Sequence, residues 1–144
     1  MSADPEGRVS RQDGGMLTML AAINNHMMII RKSVGSNPAI VAATRGCDIR
    51  RYKDLILDEE VYCFESYVEA RTRTDSIFVW SLDISLTSQG WKIRRSIGKQ
   101  TDDGEQPEKD FADFTFPKYG DLSNTYSELM TEFVASAESF DFDH

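Results

Sequence analysis

Histidine and cysteine are the side chains that most often carry nucleophilic or metal chemistry, and this sequence has two of each. His144 is the last residue, and His26 lies beside an apolar stripe that predicts a helix. Cys47 and Cys63 form neither a CxxC pair nor a disulfide framework. The spacing favours a structural histidine and two unreactive thiols, so we expect no catalytic residue, no metal site and no cofactor.

Carboxylates could do acid–base work where two of them face each other across neighbouring strands. Glu65 and Glu69 fall on one face of a predicted strand, and Asp83 falls on the polar face of the next. The exposed face of any one-sided sheet looks the same, so the sequence favours a solvated, salt-bridged face. The same interpretation covers the basic residues of these strands, which lie among aromatics as in single-strand RNA platforms: Arg71, Arg73, Lys92, Arg94, Arg95 and Lys99.

Negative charge is concentrated in the last third of the chain. The net charge is −8; residues 1–100 carry 14 Lys and Arg against 12 Asp and Glu, whereas residues 101–144 carry 2 against 12. This distribution argues against binding to a nucleic-acid backbone and is compatible with a basic protein partner. It would equally serve solubility alone. The candidate partner-binding residues are Asp102, Asp103, Glu105, Asp110 and Asp113.

The elements that must position these residues can be read from the periodicity of the apolar side chains. Residues 1–15 predict a flexible tail, and Met16 to Val34 carry a helical stripe that ends at Gly35. Asn37, Pro38 and Gly46 have the chemistry of a second, short helix, and residues 48–57 fit a third.

The middle of the chain alternates apolar and polar residues. Three antiparallel strands are predicted over 62–70, 78–87 and 91–97, followed by an acidic excursion over 101–109 and a fourth strand over 112–116. A last helix carries the stripe Leu122 to Ala137; it begins either at a capping box of Thr125 and Glu128 or earlier, at Ser123, and residues 141–144 should fray. The expected fold is α+β and two-layered: a four-stranded antiparallel meander covered on one face by N-terminal helices and a C-terminal helix. Residues 16–140 form its single domain.

Two classes of function follow. By size, acidity and architecture the chain resembles the bacterial immunity proteins that neutralise toxin domains, which implies a non-catalytic module that binds a basic partner. The alternative is a small-molecule binder or minor enzyme with a pocket between the sheet and the first helix, lined by Met27, Phe78 and Trp80. The Met-rich first helix could also form a homodimer seam. The sequence shows no secretory signal and no apolar run that could span a bilayer, so we expect a cytoplasmic protein.

Overall fold

The computed structural model describes the backbone of residues 5–142 and the side chains of residues 18–142. Within that part of the chain the fold is α+β, with two helices and six strands. In chain order these are α1 (Pro5–Gly35), β1 (Ile40–Asp54), β2 (Glu59–Thr72), β3 (Ile77–Thr87), β4 (Gly90–Thr101), β5 (Gly104–Asp110), β6 (Phe114–Phe116) and α2 (Tyr119–Glu138).

All strand pairs are antiparallel, and the strands lie side by side in the order β1-β2-β3-β4-β5. The short β6 lies beside β4 on the same side as β5: β6 pairs with the beginning of β4, and β5 pairs with the end of β4. The turns have the chemistry that tight hairpins need. Gly90 and Gly104 take positive φ angles of 124° and 111° after the two-residue turns that precede β4 and β5.

Both helices pack on the same face of the sheet. Their buried residues meet the apolar side chains of β2, β3 and β4, among them Trp80, Leu82 and Ile93. Trp80 lies in this layer and its indole N–H donates to Ser136 Oγ of α2, 3.2 Å away. The opposite face of the sheet has no covering layer among the described residues, and its side chains alternate with those of the core.

The prediction of short helices after α1 was wrong, because residues 40–54 form the long edge strand β1. Asn37 does cap a backbone N–H, since its Oδ1 accepts from the amide of Ala39, but this contact closes a turn that leads into a strand. Gly46, which suggested a helix end, lies inside β1 under the ring of Tyr67, where a Cβ would overlap that ring.

The four-strand prediction was also wrong, since the acidic excursion contains β5 and the sheet has six strands. The last helix begins earlier than predicted, at Tyr119, and its N-cap Lys118 makes no side-chain capping bond. Helix α1 starts at Pro5, inside the segment assigned to a flexible tail; the flexibility of that segment stays a prediction, and its residues 1–4 lie outside the described part. No described helix is both long and apolar enough to cross a membrane.

Candidate functional site

A polar cleft of about 390 Å³ lies on the face of the sheet that the helices leave open. Four carboxylates line it, and Arg94 is the cation among the lining residues. We call it the acidic cleft and define it by those carboxylates: Glu65, Glu69, Asp83 and Glu105. The other polar residues that line it are Ser66, Tyr67, Ser81, Ser96 and Gln100.

Strand register brings the acidic groups together. Glu65 of β2 and Asp83 of β3 are directly opposite each other, and Asp83 is in turn opposite Arg94 of β4. Glu105 reaches the cleft from the edge strand β5 because its side chain crosses over Gly98, where any Cβ would collide with its carboxylate. A glycine in the middle of β4 therefore permits this close approach.

The electrostatics of the cleft are dominated by Asp83. Its pKa is raised from 3.8 to about 6, chiefly by burial and then by the negative charge of Glu65, with a smaller contribution from Glu105. Arg50 and Arg94 act in the opposite direction without cancelling the rise. Among the described residues, the carboxylates that line the cleft outnumber its one lining cation, Arg94, so its charge is negative on balance.

Cys63, Glu65 and Asp83 are the described residues that could hold a metal ion, because one ligand atom from each lies within 4.8 Å of the others. Burial raises the pKa of the Cys63 thiol, and Glu65 forms an ion pair with Arg50 of β1. A metal would have to displace both the thiol proton and this ion pair.

A second hollow of about 370 Å³ adjoins the acidic cleft and has the opposite charge. Arg50, Lys92 and Arg94 line it, together with Cys63 and Asp83. Asp83 and Arg94 therefore form the boundary between an acidic and a basic half of the open face.

The predicted partner-binding residues lie along the β5 edge of the sheet. These residues are Asp102, Asp103, Glu105, Asp110 and Asp113. All five are exposed, and none of them forms an ion pair with another residue of the range 18–142. We call this set the acidic edge. Glu105 belongs to both the acidic edge and the acidic cleft, so the two form one continuous surface.

The predicted pocket residues Met27, Phe78 and Trp80 are fully buried members of the core. Next to them, His26 joins the helices: its Nδ1 lies 2.9 Å from the carbonyl oxygen of Ala22 and 3.1 Å from the hydroxyl of Tyr126. His26 and Cys63 lie on opposite sides of the sheet, so they do not form a nucleophile–base pair.

Arg95 was grouped by sequence with the exposed basic residues, but it lies on the helix face and is 2% exposed. Its Nη1 donates to the carbonyl oxygen of Leu129 at 2.9 Å and its Nη2 to that of Ala112 at 3.2 Å. The alternation of side chains along β4 could have predicted this position, because Arg95 falls between Ile93 and Ile97 on the apolar face of the strand.

Comparison with known proteins adds no assignment: no family model, no curated protein and no solved structure matches this chain.

Proposed function

We propose that this protein is a non-catalytic binding module that captures a basic protein partner through the acidic cleft and the acidic edge, in the manner of a bacterial immunity protein. The observation that carries the proposal is the excess of carboxylates in the cleft. Four carboxylates share it with Arg94, and the pKa of Asp83 is raised to about 6.

The chemistry of the cleft fits a guanidinium or ammonium group of the partner. Burial is the main cause of the raised pKa of Asp83, and a positive charge placed among Glu65, Asp83 and Glu105 would offset the second cause, the repulsion from the neighbouring carboxylates. Hydroxyl groups around the carboxylates can accept the remaining hydrogen bonds of a guanidinium. The acidic edge beside the cleft would steer a basic surface towards it during encounter.

A non-catalytic role agrees with the arrangement of the potential nucleophiles. Cys63 is buried with a raised pKa, which disfavours the reactive thiolate. His26 is held between Ala22 and Tyr126 on the far side of the sheet. The ionisable groups next to Cys63 are the carboxylates of Glu65 and Asp83, whose negative charge raises the pKa of the thiol further.

The test begins with co-purification of the partner from the native host and continues with binding measurements on the purified complex. A cleft variant combines Glu69→Gln, Asp83→Asn and Glu105→Gln. A control variant removes the same charge from exposed positions of α2 by Asp121→Asn, Glu128→Gln and Glu138→Gln. We expect the cleft variant to bind at least about a hundredfold more weakly, equivalent to about 2.7 kcal/mol, and the control to bind within about threefold of wild type.

A second variant separates the edge from the cleft. Neutralising Asp102, Asp103 and Asp110 should mainly slow association and reduce its dependence on salt, because exposed charges act on the encounter step. Equal losses in the cleft and control variants would show that only net charge matters, and would contradict the proposal. Recovery of a partner that is itself acidic would contradict it as well.

A further inference from the structure

An apolar groove of about 760 Å³ runs between α1 and the first residues of β1, on the opposite edge of the sheet from the acidic edge. Its exposed apolar walls are Met28 and Ile29 of α1 and Val41 of β1, which are 53%, 47% and 53% exposed. We call this the apolar groove. Such a volume is within the range of about 300–1,000 Å³ that is typical of small-molecule sites.

The local backbone explains why the groove exists. The register between β1 and β2 shifts between Ile40 and Ala42, so Val41 is an extra residue in the edge strand. On the helix side, the lining residues occupy positions i, i+3, i+4, i+7 and i+10, which places them on one stripe: Asn25, Met28, Ile29, Lys32 and Gly35. This stripe is about 15 Å long from Asn25 to Gly35.

Two cations border the apolar walls. Arg31 and Lys32 both line the groove, and neither forms an ion pair with a carboxylate of residues 18–142. Arg31 is held in place because its Nε–H donates to the carbonyl oxygen of Ala43, 3.0 Å away. The groove therefore combines an apolar channel with positive charge that forms no ion pair within residues 18–142, on a protein of net charge −8.

We propose that the apolar groove binds a single-chain anionic amphiphile of the fatty-acid type, with the alkyl chain along Met28, Ile29 and Val41 and the carboxylate beside Lys32 and Arg31. The flexible side chain of Met28 can adapt to an alkyl chain. The inference is independent of the proposed protein partner, because it uses a different edge of the sheet.

A second copy of this chain fits the groove less well. A two-fold interface across the groove would bring Arg31 and Lys32 of both copies into one contact and so concentrate positive charge there, which is unfavourable. The three half-exposed apolar side chains also offer far less than the roughly 800 Å² per partner of a stable interface. The homodimer seam predicted from the Met-rich helix is therefore an alternative outcome of the test.

The test measures binding of dodecanoate, dodecanol and dodecyltrimethylammonium to the full-length chain by calorimetry below their aggregation concentrations, with sedimentation to record the oligomeric state. We expect saturable one-to-one binding of dodecanoate and much weaker binding of the cationic amphiphile. Val41→Glu should weaken dodecanoate binding at least about tenfold, because it places a charge inside the channel. Its control, Ile49→Glu, changes another exposed apolar residue of β1 and should leave binding within about twofold.

Lys32→Glu distinguishes the headgroup contact from the alkyl contact. It should weaken dodecanoate about five- to tenfold and dodecanol less than twofold, whereas Lys53→Glu at the far end of β1 should change neither. Absence of saturable dodecanoate binding would overturn the inference. So would equal effects of Val41→Glu and Ile49→Glu, tighter binding of the cationic amphiphile, or a wild-type dimer that Val41→Glu dissociates.

Discussion

Replacing Asp83 by Asn should stabilise the protein at neutral pH and leave its stability unchanged in acid. Asp83 lies on the floor of the acidic cleft, opposite Glu65 and Arg94, and its pKa in the folded protein is raised to about 6. Asn has the same shape and no charge. The substitution therefore removes the electrostatic penalty while it preserves the packing.

The magnitude follows from the shift in pKa. From 3.8 to about 6 is roughly two units, and each unit corresponds to about 1.36 kcal/mol, so the upper limit is about 3 kcal/mol. Asp83 is partly open to solvent, which screens its interactions and reduces the expected gain to about 1–2 kcal/mol.

The sign of the pH dependence is fixed by the raised pKa. Below pH 3.8 Asp83 is protonated in both the folded and the unfolded protein, so wild type and Asp83→Asn should be equally stable. Between pH 3.8 and about 6 the folded protein keeps a proton that the unfolded chain has lost, so this contribution to wild-type stability falls as pH rises. Above pH 6 the difference in free energy of unfolding between Asp83→Asn and wild type is at its maximum.

Urea unfolding at pH 4 and pH 8 measures the effect as a change in the free energy of unfolding. The control is Asp48→Asn, because Asp48 is exposed on β1 and lies opposite Glu65. Its free energy of unfolding should stay within about 0.5 kcal/mol of wild type. A gain that is identical at pH 4 and pH 8, or a loss at pH 8, would refute the reasoning. If the cleft binds a basic partner, the stabilised variant should also bind it more weakly, because function then requires the destabilising charge.

Three further predictions concern the fold. Arg95→Ala should lower the free energy of unfolding by about 3–4 kcal/mol, because it removes two charge-assisted hydrogen bonds and leaves a buried void. Its ion-pair partner Glu132 is 58% exposed, so the control Glu132→Gln should lower the free energy of unfolding by less than about 1 kcal/mol. In the same urea assay, Gly90→Ala should lower the free energy of unfolding more than Gly104→Ala. Both glycines have a positive φ angle, but of the two only Gly90 lies where an added Cβ would collide with the backbone of Phe116. A thiol reagent at pH 8 should modify the exposed Cys47 well before Cys63, whose pKa is raised by burial; equal rates would contradict the placement of Cys63.

The central strands and both long helices could be predicted from sequence because their side chains face a core. Along β3, Trp80, Leu82 and Ile84 alternate with polar residues, and this period is present in the structure. Strand β1 could not be recognised in this way. It is an edge strand in which Ile40 alone is buried, so it carries no clear alternation, and the local chemistry of Asn37 and Pro38 resembles a helix start. Strand β5 contains Pro107 and four charged residues, which are typical of an edge strand but predict a loop when only the sequence is considered.

The candidate site could be predicted only in part, for the same reason. Alternation places Glu65 and Asp83 on one face, and their opposition follows once β2 and β3 are paired. The contribution of Glu105 depends on the β4–β5 pairing and on the absence of a side chain at Gly98, neither of which a loop over 101–109 would provide. The burial of Asp83, and hence its raised pKa, is a property of the assembled face.

The meander turns the charge asymmetry of the sequence into a separation in space. Because the strands lie in chain order, the basic segment 18–57, with six Lys and Arg against two Asp, forms part of α1 and the β1 edge, whereas the acidic edge lies at β5 on the other side of the sheet. The later acidic residues Asp121, Glu128, Glu132 and Glu138 belong to α2. Four strand spacings of about 4.8 Å put these edges roughly 19 Å apart, more than two Debye lengths of about 8 Å. A basic partner at the acidic edge is therefore largely screened from Arg31 and Lys32, and an anionic ligand in the apolar groove is screened from the acidic edge. Lys32→Glu should consequently leave the association rate of the basic partner unchanged, since the charge that steers it lies on the other side of the sheet.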